Sequence, residues 1–266
     1  RAQVVVYVDL PSGVSTRSTD AVVKRMSEVL RAKYSEDKVR SVVSYVGFGG
    51  PRFVLSLAPV DPAPNRGFLL LSLHNLEGVD TLMQEVRGTL AEQFPAAQAR
   101  VSRMFLGPSD STKIEIEVAG PDPQVLYETA QRVEGLLFQV PGALDVRNDW
   151  EDRVVEVQVA LNQQQARRAG LSTGDVAEAM SENFDGRVVS QFREGDDLLQ
   201  VILRGSDRNN FDQTRTLPVK GTALAQVADF ELQNRFSRMA RNGLQRTVTI
   251  EARSTVLTAE DMVPIL

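Results

Sequence analysis

The sequence predicts an α+β chain built of two successive βαββαβ units, the second interrupted by an inserted α+β segment and lacking its last strand. Three observations lead there. Strand and helix periodicities alternate in that order over residues 1–107. The same opening, strand–turn–helix–strand, restarts at Lys113, roughly 107 residues after the first. The third strand of the restarted unit arrives only at Gln245, after a long detour.

In the first unit, QVVVYVDL (3–10) places Val4, Val6, Val8 and Leu10 on one face of a buried strand. The turn PSG (11–13) leads to a helix with Ser18 or Thr19 as its cap and Val22, Met26, Val29 and Leu30 along one stripe. A strand at 39–46 follows, then a glycine-rich loop that exposes Phe48, then two apolar runs, RFVLSL (52–57) and RGFLLLSL (66–73). Three prolines in the spacer APVDPAPN exclude a regular strand between those runs. The helix at 79–94 carries Val79, Leu82, Met83, Val86, Leu90 and Phe94 at helical spacing, and ARVSRMFLG (99–107) closes the unit as a strand. This order is the split βαβ, or ferredoxin-like, arrangement.

The second unit opens with KIEIEVAG (113–120), which alternates cleanly: Ile114, Ile116 and Val118 inward, Lys113, Glu115 and Glu117 outward. A helix over 123–139 turns Leu126, Val133, Leu136 and Leu137 inward, and ALDVRND supplies the next strand. Trp150, the sole tryptophan, follows at the switch between segments, where packing is its expected role. The insert then begins with the strand VVEVQVAL (154–161) and a short helix stopped by Gly170. STGD forms a capping box, Ser172 to Asp175, for the helix after it. A hairpin pairs GRVVSQF with DLLQVILRG through REGDD, and ALAQVADFELQ (223–233) reads as one more strand. QRTVTIEAR (245–253) then resumes the second unit, and LTAEDMVPIL starts its second helix.

Composition narrows the function. The 266 residues carry 30 basic and 35 acidic side chains, a net charge of -5, with no basic stripe of the kind nucleic acid demands. Cysteine is absent, which removes thiolate zinc sites, disulfides and thiol catalysis. No apolar run approaches the roughly 18–20 residues that span a bilayer. The opening RAQVVVYVDL enters strand pattern directly, so the chain is expected to be a portion of something longer.

Catalytic equipment is thin. The one histidine, His74, ends an apolar strand without a carboxylate cluster beside it. Glu194, Asp196 and Asp197 make a solvated hairpin tip and lack the spacing of a calcium loop. No G-x-S-x-G elbow occurs. The chain is expected to be no enzyme and to need no cofactor or metal.

The loop YVGFGGPRF (45–53) raises the sharper question. A phosphate cradle would want a Lys-Ser/Thr or a helix directly after the glycines, and neither follows. A long hairpin connection is the plain alternative. A resemblance decides what else it offers. LPSG after the first strand, VGFGGPRF, PGALDVRNDW and LNQQQARRAGLSTGDVAEAM, in that order, resemble the second large periplasmic loop of resistance-nodulation-division (RND) efflux transporters of the acriflavine-resistance, hydrophobe/amphiphile type. The likeness covers essentially the whole chain.

The resemblance implies two ferredoxin-like porter subdomains, residues 1–107 and residues 108–153 with 236–266, and a docking subdomain at 154–235 inserted into the second. It implies a periplasmic domain of a bacterial inner-membrane protein, driven by proton coupling elsewhere in the pump. Expected partners are amphiphilic small molecules, a periplasmic adaptor, an outer-membrane channel and two further copies in a homotrimer. Gly47, Gly49, Gly50, Pro51 and Arg52 match the flexible loop between drug pockets. Phe48, Phe53, Met104 and Phe105 are the expected substrate contacts, while Arg103 stands where well-known members carry an aromatic. Two other readings stay open: a soluble tandem ferredoxin-like binding or regulatory module, and a purely structural scaffold.

Overall fold

In the computed structural model, residues 2–35, 37–54, 60–104, 111–206 and 210–265 are described. The chain forms two compact units, one running to Val154 and resuming at Arg235, the other spanning Val155–Asn234.

The first half of the larger unit runs β1 (Gln3–Asp9), α1 (Thr16–Lys33), β2 (Val39–Val46), β3 (Arg66–Leu73), α2 (Val79–Gln93) and β4 (Gln98–Arg103). Its sheet order is β2-β3-β1-β4 with every neighbour antiparallel, the arrangement that two helical crossovers on one face produce. Val4, Val6 and Val8 meet Val23, Met26 and Leu30 of α1 and Val86 and Leu90 of α2 in one core. The helix α1 begins earlier than its sequence suggests. Ser15, not Ser18 or Thr19, is the cap, accepting from the Ser18 N–H at 3.2 Å. Thr19 instead is buried and donates to the Pro64 carbonyl at 2.7 Å. Of the apolar run at 52–57, Arg52–Val54 form no strand, because the Phe53 N–H turns back to the Pro51 carbonyl at 2.9 Å, and residues 55–57 lie outside the described residues.

The second half opens with β5 (Lys113–Gly120), α3 (Pro123–Leu137) and β6 (Ala143–Asn148). Asp122 caps α3 and Pro123 occupies its first turn, where a missing N–H costs nothing. The chain then leaves through β7 (Arg153–Leu161).

The smaller unit contains most of β7, α4 (Gln163–Arg168), α5 (Thr173–Phe184), β8 (Arg187–Glu194), β9 (Asp197–Leu203), α6 (Phe211–Arg215), β10 (Pro218–Val219), β11 (Thr222–Ala223) and most of β12 (Ala228–Phe236). β7 pairs with β12, and β8 with β9 as a hairpin exposed along its whole length. The Ser172–Asp175 capping box forms as expected, and Asp175 also holds Lys220 at 2.7 Å. The single strand expected at 223–233 is broken. A helical turn at Leu224–Gln226 points Leu224 and Val227 into the core before β12 starts at Ala228. α6, β10 and β11 were not legible, being too short to show a period.

The chain returns with β13 (Ala240–Asn242), β14 (Gln245–Ser254) and α7 (Ala259–Met262). β14 lies between β5 and β6, the central position of a third ferredoxin-like strand, and β13 extends the β6 edge. The outer edge of β5 has no strand beside it among the described residues. Trp150 is wholly buried in this half, its indole N–H donating to the Thr247 carbonyl at 2.7 Å.

Candidate functional site

Along β1 the apolar run is unbroken, and the two central strands, β1 and β3, are buried on both faces. One face carries the helices. The other gathers Val5, Phe68, Leu70 and Met104, with Tyr7, Tyr45, Phe53 and Val54 packed against them.

Strand register builds this face. Arg100 of β4 pairs with Tyr7 of β1, Tyr7 with Phe68 of β3, and Phe68 with Tyr45 of β2. One cation and three aromatics therefore cross all four strands in a row. The Arg100 guanidinium lies 5.0 Å over the Tyr7 ring, which meets Phe68 edge-on at 5.1 Å. Burial raises the Tyr7 phenol above its usual range, with Arg100 and Arg253 pulling the other way, so Tyr7 stays a neutral π-donor.

The glycine loop folds onto this row. Phe53 stacks on Phe68 at 6.2 Å, and Phe48 meets Tyr45 edge-on at 5.5 Å. Gly47 and Gly50 hold φ of 86° and 78°, which other residues rarely adopt. Gly50 also lies directly on Phe68, and Gly49 packs equally close to Val60. The glycines let backbone lie flat on an aromatic ring.

Each expected contact is thereby placed. Phe48, expected to be exposed, is half-buried, as is Phe53. Met104 is 1% exposed and forms the floor rather than the surface of this face. Phe105 lies outside the described residues. Pro51 and Arg52 are exposed at the loop's outer side. Arg103 pairs with Val4, whose side chain belongs to the helix face, so register places it away from the aromatic row. Sequence reasoning missed Tyr7, Tyr45, Phe68 and Arg100. The signal was the apolar run VVVYV, too long for a strand with one wet face.

The second half presents a contrasting surface. With Val248, Ile250 and Ala252 turned inward, β14 shows Glu251 and Arg253 on its other face. Burial alone would push the Glu251 carboxyl up, but Arg147 at 2.7 Å and Lys113 at 3.3 Å outweigh it and hold it low. Arg100 also acts on Glu251 and Arg253 on Tyr7, so the charged face is within electrostatic reach of the aromatic one.

A cavity of about 300 Å³ opens where the halves meet, lined by Ser12, Asp61, Arg66, Glu151, Ser237 and Arg238 among others. Arg66 pairs with Glu151 at 2.5 Å and lies 3.5 Å from Asp9, which accepts from Arg100 at 2.8 Å. Among the described residues, no group of three or more His, Cys, Asp or Glu is placed to hold a metal ion. The lining of this cavity is for the most part polar or charged and, among the described residues, includes no aromatic side chain.

Comparison with known proteins agrees on kinship. The chain is 23% identical over 264 residues to the cation efflux system protein CzcA of Alcaligenes sp. (strain CT14), covering 90% of this chain and 24% of that protein. It is 25% identical over 246 residues to the nickel and cobalt resistance protein CnrA of Cupriavidus metallidurans, covering 84% of this chain and 22% of that one. The chain thus spans about a quarter of the length of these curated relatives. A crystal structure of a heavy metal efflux pump superposes with a TM-score of 0.78 at 21% identity, over 100% of this chain and 29% of the other. That likeness shows the fold. These relatives are named as efflux and resistance proteins, in keeping with the thin catalytic equipment of the sequence, but for metals rather than for acriflavine. A sequence model of the AcrB/AcrD/AcrF family matches residues 1–260, and the chain belongs to that family.

Proposed function

We propose that this chain is the periplasmic porter and docking portion of a proton-driven RND efflux pump, which binds amphiphilic small molecules and passes them toward an outer-membrane channel. Residues 1–107 are one porter subdomain, 108–153 with 236–266 the other, and 154–235 the docking subdomain. The pump works as a homotrimer with a periplasmic adaptor, and its proton-coupling groups lie in membrane helices outside this chain. No helix among the described residues is long and apolar enough to cross a membrane.

The row Arg100–Tyr7–Phe68–Tyr45 under the glycine loop carries the substrate reading. Aromatic faces bind apolar bodies with loose geometric demands, and the charged face nearby receives a polar end. Phe48 and Phe53 are the loop's contacts to such a ligand, Gly47, Gly49, Gly50, Pro51 and Arg52 its moving frame, Met104 the adjoining floor, and Phe105 a further substrate contact. A second reading, export of metal cations, is favoured by what the relatives are named for.

Thermal unfolding separates the two. A ligand that binds only the folded chain raises its midpoint with concentration. The amphiphile reading expects a rise with the dye rhodamine 6G and none with Zn²⁺, Co²⁺ or Ni²⁺. A rise with the cations alone would replace it by the metal reading.

A further inference from the structure

The structure assigns Arg66 a positioning role: it is the joint through which the second half of the unit holds the glycine loop against the aromatic face. The functional side of this inference rests on reading that face as a ligand path.

The backbone of Arg66 ties the loop shut. Its carbonyl accepts from the Gly47 N–H at 2.8 Å, and its own N–H donates to the Ala63 carbonyl at 3.1 Å. The Gly47 carbonyl in turn accepts from the Ala63 N–H at 3.0 Å. Both ends of the segment from Gly47 to Arg66 meet in this knot.

The side chain reaches the other way. Its Nη1 donates to the Asp61 carbonyl at 2.6 Å, and its Nη2 to Glu151 at 2.5 Å. Glu151 belongs to the second half, between β6 and β7, and there it adopts φ of 60°. That conformation costs a non-glycine residue about 1 kcal/mol, which contacts of its side chain can offset. The same carboxylate accepts from Ser12 Oγ at 3.0 Å and Asn65 Nδ2 at 3.4 Å, both in the first half. A second grip lies beside it, where Arg238 of the second half holds the Asp61 carboxylate at 2.7 Å.

The Arg66 side chain is only 7% exposed, so its charge depends on its anions. If Glu151 withdraws, the guanidinium keeps Asp9, which it shares with Arg100, and turns toward it. That turn releases the Asp61 carbonyl and slackens the knot at Gly47. Separation of the halves therefore frees the loop from Phe68, and closure seats it again.

Amide hydrogen exchange on the 266-residue chain tests this without any ligand. In Glu151→Gln, which keeps the side-chain shape, the Gly47 and Ala63 amides are expected to exchange on the order of tenfold faster, while Val5 and Val6 of β1 are unchanged. Glu115→Gln, an exposed acid away from the joint, should change none of them. Arg238→Gln, which cuts only the outer grip, should accelerate Ala63 even if Glu151→Gln does not fold. Unchanged exchange at Gly47 and Ala63 in the folded variants would overturn the assignment. Equal acceleration throughout β1 would overturn it too, by showing that Glu151 merely stabilises the fold. Failure of the wild type to bind an amphiphilic dye would strike the ligand reading alone and leave the joint standing.

Discussion

Gly50 lies on the ring of Phe68 so closely that a Cβ at position 50 would sit 2.6 Å from the Phe68 Cδ1. The loop is therefore seated on the aromatic face by contact, and its glycines serve packing as well as conformation.

A pair of substitutions separates those two roles. Gly47→Ala meets only Thr16 at 3.9 Å, so its cost is the left-handed backbone alone, about 1 kcal/mol. Gly50→Ala carries the same backbone strain plus the clash with a wholly buried ring, adding roughly 1–3 kcal/mol. Urea unfolding of both should show Gly50→Ala clearly the less stable. Equal losses would mean that the loop does not rest on Phe68.

The smaller unit has an acid-sensitive staple. Asp175 is held down to about 2 by the hydrogen bond from Lys220 and by the Ser172 hydroxyl and backbone N–H. Its folded value lies below the unfolded one, so its contribution is present above the ordinary carboxylate value and is lost as pH falls through about 2. Asp175→Asn should lower the thermal midpoint at neutral pH, and the difference from wild type should shrink in that acid window. A difference independent of pH would assign the effect to packing instead.

Local pattern made the strands and the capping box legible, and long-range register hid the site. KIEIEVAG shows its bounds because alternation stops at a Gly-Pro-Asp turn, and the observed β5 runs over the same residues, Lys113–Gly120. The glycine loop reads as a loop for the same local reason. Its partners do not: Tyr7, Phe68 and Arg100 become neighbours only through pairing of β1 with β3 and β4. No spacing in the sequence encodes that row. Glu151 is hidden for a related reason, since WEDR looks like a solvated turn until the first half supplies Ser12, Asn65 and Arg66 around it. The turn at Leu224–Gln226 was misread because two apolar residues three apart fit a strand edge as well as a helical turn.

The most direct test of the account is a fluorescence titration of rhodamine 6G against the wild-type chain and against Phe48→Ala, Phe53→Ala and the double variant. Truncating a contacting aromatic removes about 1–3 kcal/mol of binding, so each single variant should weaken the dye about tenfold and the double variant further. Gly47, Gly50 and the Phe68 floor remain in place in all of them, and circular dichroism should confirm the fold. Equal affinity for wild type and all three variants would contradict the claim that this loop and its aromatic row form a ligand path.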